Sequence, residues 1–528
     1  MHWGVPDGSY CTVADGAART LQFREAVAAL NGLGLRVVVD VVYNHVFGAG
    51  PRSPHAVLDK LVPGYYLRRD KNGSVEASTC MNNTASEHAM CARLIVDDVL
   101  HWARTYKVDG FRFDLMGHLM KRVVERIRAE LDALRLAPDG SGVDGRAILM
   151  YGEGWDYAEV FDGRVGENAS QHRLAGTGIG TFNDRIREGA IGGSPFGDPR
   201  LQGLLTGLWT APAADVPQGT LTEQRQALAR ATERVLAGVA GNLADYRFTG
   251  ASGEVIAGRD AGGVGSRCGY ASAPQETINY CSAHDNETLF DLVALKMFTT
   301  CSLAGRCRVV GLAQALLAWS AGIPFFHAGD ELLRSKSLDR DSYNSGDWFN
   351  AIDWTGARTG WGVGLPPAGK NAPHWALQRR LLSDPACAPS AADVAKAAAH
   401  FRQTLRVRAS SPLFRLRTAA DVQARLRLHN RGANEVAGVL VWEFVDGGGD
   451  RDASLPVLDS RFSRVLAALN ATQQPAALQV AALPGGAWAL HPELGESHDP
   501  AVRAATFDAD GWLRLPALTA VVFVVPRG

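Results

Sequence analysis

Apolar positions change their spacing several times along the chain. Over residues 18–34, Leu21, Ala28 and Leu30 lie among polar residues, and Gly32 and Gly34 stop the run, which predicts a helix. LRVVVDVVYNH (35–45) follows, a continuous β-branched run with a polar end, which predicts a strand over 36–42 buried on both faces, as in a parallel sheet. The pair then repeats. Residues 86–107 read as a helix through Leu94, Ile95, Val99, Leu100 and Trp102, and VDGFRFDLMGH (108–118) as a short strand. Residues 118–136 read as a helix and AILMYGEGW (147–155) as a strand. Further on come INYCSAHD (278–285), an apolar helix at about 308–320 and GIPFFHAGDE (322–331, strand over 322–328), with NLADYRF (242–248) a weaker strand candidate. Alternating helices and strands with polar strand ends predict an α/β fold of the (β/α)-barrel type.

The pattern changes after about residue 415. GVLVWEFV, FSRVLAAL, AWALHP and LTAVVFVV, separated by Gly, Asp and Asn clusters, predict an antiparallel β-sandwich. The division expected is therefore a barrel over 1–415, closing after a helix at 394–410, and a β-sandwich over 416–528. Residues 156–240 are Gly-rich and read as irregular, in the manner of long barrel loops that carry function.

At 528 residues the chain has room for three or four domains, of which one large barrel takes two shares. A 46% apolar content excludes global disorder. With 54 Lys and Arg against 55 Asp and Glu there is no field to hold nucleic acid or an anionic membrane. No run of about 18 apolar residues is present to span a bilayer. The 8 cysteines form no CxxC and no zinc spacing, which suits reduced thiols in a soluble intracellular protein, and the first residues show no targeting pattern.

Candidate chemistry sits at the strand ends. Asp114, Glu153 and Asp285 end three separate strands, and in a parallel barrel those ends share one mouth. Two carboxylates across a glycosidic bond can hydrolyse it, one as nucleophile and one as proton donor, whereas a lone strand-end Asp is more often a helix cap. In GFRFD, strand alternation sends Arg112 and Asp114 to one face, where the guanidinium favours an ionised nucleophile, and Phe111 and Phe113 to the other. Glu153 precedes Gly154 and Trp155, and desolvation against an indole would raise its pKa and suit a general acid. Asn44, His45 and His284 could hydrogen-bond sugar hydroxyls or be satisfied structural groups.

DVVYNH (40–45), GFRFDLMGH (110–118), YGEGW (151–155) and SAHDNETLFD (282–291) resemble the four ordered motifs of the α-amylase superfamily, glycoside hydrolase family 13. MNNTASEHAM (81–90), GTGIGTFNDRIRE (176–188), IPFFHAGDELLRSKSLDRDSYNSGDWFN (323–350) and WGVGLPP (361–367) resemble its plant-type limit dextrinase, or type I pullulanase, subgroup. The resemblance runs from about residue 3 to the end. It implies Asp114 as nucleophile, Glu153 as acid/base and Asp285 as transition-state stabiliser. Arg112, His45 and His284 would surround the cleaved sugar, and Met81, Trp155 and Phe196 would line glucan subsites. Phe196 serves equally well as a loop anchor, and DRDSYNSGDW (339–348) as a glucan-facing or a structural loop.

The resemblance further implies retaining hydrolysis of α-1,6 branch links in limit dextrins, amylopectin fragments and pullulan. The substrate is a branched α-glucan, no cofactor is required, a structural calcium stays open, and the expected form is a plastid monomer. Two other readings stay open: an α-1,4-acting amylase or branching enzyme of the superfamily, and an inactive glucan-binding fragment. The last arises because only about six βα units are visible where a closed barrel has eight. The expectation is a barrel lacking its first two strands, poorly soluble by itself and with little hydrolysis of pullulan.

Overall fold

The computed structural model describes residues 3–136, 142–432, 435–447, 455–480 and 488–527. Ala487 of the AWALHP run lies outside them. The chain divides after Phe182 into two compact units.

The first unit opens with α1 (Ala18–Gly32), β1 (Val38–Val41), β2 (His45–Val46), β3 (Asn82–Asn83) and α2 (Ala89–His101). It continues with β4 (Gly110–Phe113), α3 (Lys121–Asp132), β5 (Leu149–Gly152) and β6 (Gly180–Asn183), whose last residue begins the second unit. Strands β1, β4, β5 and β6 pair in parallel in that order. The helices follow from the apolar stripes that sequence spacing shows. In α3, Val123, Val124, Ile127 and Leu131 form the buried stripe over a core that includes Ile95, Val99, Phe111 and Phe113. Each such side chain contributes about 1.5–3 kcal/mol on full burial.

Two expectations change here. LRVVVDVVYNH is not one strand: the parallel ladder stops at Val41, and after a turn β2 pairs antiparallel with β3. Nor is β1 buried on both faces. Val38 and Val39 are half-buried and Asp40 is exposed, because β1 is the end strand of its ladder.

The second unit carries α4 (Asp184–Ile191), α5 (Leu221–Val239), a hairpin of β7 (Arg247–Thr249) and β8 (Val255–Ala257), then β9 (Thr277–Asn279) and α6 (Leu289–Met297). After these come α7 (Leu303–Trp319), β10 (Ile323–Pro324), which pairs in parallel with β9, and α8 (Ala391–Ser410). From Leu426 the chain turns antiparallel. A five-stranded sheet holds β11 (Leu426–His429), β12 (Val439–Val445), β13 (Phe462–Asn470), β18 (Thr519–Pro526) and β15 (Ala489–Leu490), in that order. A second sheet orders β14 (Ala476–Gln479), β17 (Trp512–Leu515) and β16 (Thr506–Phe507). Buried indoles tie the layers together: Trp319 donates to Thr404 O (3.3 Å) and Trp442 to Trp319 O (3.1 Å).

The 156–240 segment is more ordered than its glycines suggest. It contains β6, α4 and the 19-residue α5, started by a capping box in which Thr220 and Glu223 bond reciprocally. NLADYRF becomes a strand only at its end, one arm of the β7–β8 hairpin, while Leu243 makes an isolated parallel bridge to Ala271 and Tyr246 donates to Leu426 O. No helix among the described residues is long and apolar enough to cross a membrane.

Candidate active site

The first unit gathers charged groups on one row of its parallel ladder. Asp40, Arg112 and Tyr151 stand in register on β1, β4 and β5. Parallel strands in register send alternate side chains to the same face, so these three meet. Arg112, 6% exposed, spans Asp40 (Nη1–Oδ1 2.8 Å) and Asp114 (Nη1–Oδ1 2.9 Å), while Nη2 reaches Glu153 Oε1 at 2.7 Å. Against the cost of burial, the charges of Glu153, Asp40 and Asp114 hold the guanidinium well above its ordinary pKa. Its face lies 5.8 Å from the Phe182 ring centroid. Sharing one guanidinium keeps the Asp114 and Glu153 carboxylates within about 8 Å, a range that spans the about 5–5.5 Å of retaining glycosidases and the lower part of the inverting range.

Backbone geometry fixes both carboxylates. Leu115 takes a left-handed conformation (φ 38°), and its N–H donates to Glu153 Oε2 at 2.8 Å. Such a backbone is strained for a branched side chain and is typical of functional turns. Gly117 N–H donates to Glu153 O (2.8 Å), and a Cβ there would lie 1.9 Å from Trp155 O, so only glycine lets the two turns touch. Glu153 thus meets a guanidinium and a backbone amide.

Asn44 and His45 join this group. Asn44 Nδ2 donates to Asp114 O (2.8 Å) and Oδ2 (2.9 Å). Its Oδ1 is then the acceptor for His45 Nδ1, 2.7 Å away, which leaves Nε2 as the acceptor in the neutral ring. Burial lowers the His45 pKa, opposed by the Asp114 charge. Met81 is exposed beside β3, whose Asn82 donates to Val46 O and Phe47 O. Trp155 is half-buried.

Behind β3 lies a buried ionic cluster that sequence reading missed. Arg68, 3% exposed, grips Glu87 (Nη2–Oε2 2.9 Å) and Glu159 (Nη1–Oε1 2.8 Å). Glu159 also accepts from Ser78 and Asn83. Asp40 and Tyr151 were missed as well. Both carry a signal in the sequence, since each falls opposite Arg112 once the strands are aligned. Burial raises the Tyr151 phenol, with the Asp40 charge adding to it.

The remaining candidates belong to the second unit. Asp285 and His284 are exposed on the turn after β9, with Nε2–Oδ1 at 3.7 Å. Lys336 Nζ donates to both flanking carbonyls, His284 O (2.6 Å) and Asn286 O (2.7 Å), and so pins that turn. Phe196 is 96% exposed. In the 339–348 loop, Asp339 is buried and accepts from Ser345 and Asn371.

Residues 356–526 match the family described as "Alpha-1,6-glucosidases, pullulanase-type, C-terminal". The chain is 48% identical over 531 residues to "Pullulanase 1, chloroplastic" of Arabidopsis thaliana, covering 99% of itself and 54% of that protein. It is 38% identical over 541 residues to the pullulanase of Klebsiella pneumoniae, covering 100% of itself and 47% of the relative. The crystal structure of a maltotriose complex of PulA from Klebsiella pneumoniae superposes with a TM-score of 0.90 at 36% identity, over 99% of this chain and 54% of that one. The chain spans about half the length of the curated relatives it matches.

Proposed function

We propose that this chain, which belongs to the pullulanase-type α-1,6-glucosidase family, carries the catalytic machinery of a retaining starch-debranching hydrolase. The observation that carries the reading is the pair of strand-end carboxylates held on the two ends of the Arg112 guanidinium. Asp114 attacks the anomeric carbon and the C1–O6 bond of the branch breaks. Glu153 gives its proton to the leaving oxygen, then takes one from the water that hydrolyses the glucosyl–Asp114 ester. Asp285 is the third carboxylate of this reading, the transition-state stabiliser. Asn44, His45, Arg112 and His284 hold the cleaved sugar, and Met81, Trp155 and Phe196 offer apolar faces to neighbouring glucoses. These steps use carboxylates and water alone.

The domain division extends the same proposal. Residues 1–415 form the barrel and 416–528 an antiparallel β domain, which the two antiparallel sheets after Leu426 support. The half-exposed outer edge of β1 supports further barrel strands pairing there in the working enzyme. The substrate is a branched α-glucan, and a plastid setting fits the chloroplastic relative.

Digestion of pullulan tests the reaction. Maltotriose as the product supports α-1,6 cleavage; panose-type products with the α-1,6 link intact would instead make this an α-1,4-acting enzyme. Asp114→Asn is expected to abolish turnover and leave glucan binding in place. Retention of most of the activity in that variant would remove Asp114 as nucleophile.

A further inference from the structure

The loop from Gly192 to Gly203 in the second unit leaves and returns through a narrow neck. Leu204 N–H bonds Gly189 O (2.9 Å) and Leu205 N–H bonds Ala190 O (2.8 Å) just outside it. At the neck a Cβ on Gly192 would fall 2.2 Å from Gln202 C, so the two arms are in contact. Phe196 stands near the tip, 96% exposed, in a Ser194–Gly197 turn.

Lys296 of α6 lies under this neck. It is 2% exposed, and its Nζ donates to one carbonyl on each arm, Gly192 O at 3.0 Å and Leu201 O at 2.7 Å. A second cation braces the tip: Arg340 Nη2 donates to Pro195 O at 2.8 Å, with its Nε 3.6 Å from Glu287 and its Nη1 2.8 Å from His374 Nε2. Burying an ammonium is costly, and an apolar side chain of equal length would fill the same space without that cost. What the ammonium adds is two directional bonds across the neck.

We propose that Lys296 is a positioning residue that staples the two arms of the 192–203 loop and so holds Phe196 as a fixed stacking face for a glucose ring. The proposal rests on the reading of Phe196 as a glucan contact. Burial lowers the Lys296 pKa to about 8, with Glu287 and Asp198 opposing the shift and Arg340 adding to it. The amine thus stays largely charged at neutral pH, and its bonds to the carbonyls are of the stronger, charge-assisted kind.

The test is a double-mutant cycle in the working enzyme, with the further barrel strands that pair with β1 in place, read by calorimetric titration with maltotriose and by pullulan kinetics. Phe196→Ala is expected to weaken maltotriose binding about tenfold, the loss of one aromatic stack. Lys296→Met, which keeps the length and removes the donors, should weaken binding by a similar factor. It should raise KM for pullulan while kcat stays within about twofold. A merely structural role would lower the active fraction instead, and hence kcat at constant KM. The double variant should bind no more weakly than Phe196→Ala alone, because both changes remove one contact. Lys296→Gln, which keeps an N–H donor, should fall between Lys296→Met and the parent, and it carries the test if the apolar variant fails to accumulate. Unchanged binding in Phe196→Ala would overturn the glucan reading of Phe196. Weakened binding in Phe196→Ala but not in the Lys296 variants, or losses that simply multiply in the double variant, would overturn the staple.

Discussion

Glu159 offers a quantitative test of the buried cluster that backs β3. Burial by itself raises its pKa, yet hydrogen bonds from Ser78, Arg68 and Asn83 overcome that and bring it from 4.5 to about 2. The side chain is 13% exposed, so solvent screens these bonds little. A difference of that size corresponds to about 3 kcal/mol of folding stability at neutral pH. The folded pKa lies below the unfolded one, so the contribution is fully present above about pH 4.5 and is lost as pH falls through about 2. Glu159→Gln keeps the shape and cannot ionise. Urea unfolding should show a deficit of about 3 kcal/mol at pH 7, shrinking to about 1 kcal/mol at pH 3 as the unfolded parent takes up a proton while the folded parent stays largely ionised. A deficit that stays constant between pH 7 and pH 3 would mean that Glu159 contributes by packing, and the ionic account of the cluster would fall.

Two further outcomes follow from other groups. Arg112→Met should lower kcat on pullulan by about 10²–10³, since it removes a cation shared by both carboxylates, and Arg112→Lys should recover little because an ammonium cannot fork; a fully active Lys variant would show that charge alone suffices. Iodoacetamide at pH 8 should label the exposed Cys80 and half-buried Cys11 first and spare Cys91, Cys268 and Cys307, whose thiols burial pushes up to about 12, as peptide mass spectrometry can read; early labelling of Cys91 would contradict its burial.

What the sequence disclosed depended on how far each signal reached along the chain. The helix over 118–136 and the alternation of GFRF are local signals, and both appear in the structure, the helix as α3 with Val123, Val124, Ile127 and Leu131 buried. Strand β6 was hidden because four residues, Gly180–Asn183, with a single aromatic and no β-branched run, carry almost no periodic signal. Helix α5 was legible in principle, through Thr220 and Glu223 ahead of Leu228, Val235 and Leu236, but the surrounding glycines outweighed it. NLADYRF forms a strand only at its end, because Leu243 and Tyr246 turn into the core, Leu243 bridging Ala271 and Tyr246 donating to Leu426 O, before the β7–β8 hairpin begins at Arg247. The Arg68–Glu87–Glu159 cluster draws on segments tens of residues apart, and pairing of that kind leaves no spacing to read.

The candidate carboxylates show why a pair of strand ends could nonetheless be found. In an in-register parallel ladder, residues at the same height on neighbouring strands face the same way, and those two positions onward face that way again. Asp40, Arg112 and Tyr151 form one such row. Asp114 lies two residues beyond Arg112, and Glu153 two beyond Tyr151, so both carboxylates fall in the next row on the same face. Arg112 reaches upward into that row and sideways to Asp40, which is how one guanidinium comes to touch all three acids. A slip of one residue between β4 and β5 would send Glu153 to the opposite face and leave Asp114 without its partner. The register is guarded at this point by Gly152, where a Cβ would lie 2.5 Å from Phe113 O. Strand pairing and acid placement are therefore a single constraint: the close approach that makes glycine necessary at 152 is the same approach that brings Glu153 within reach of the cation beside Asp114.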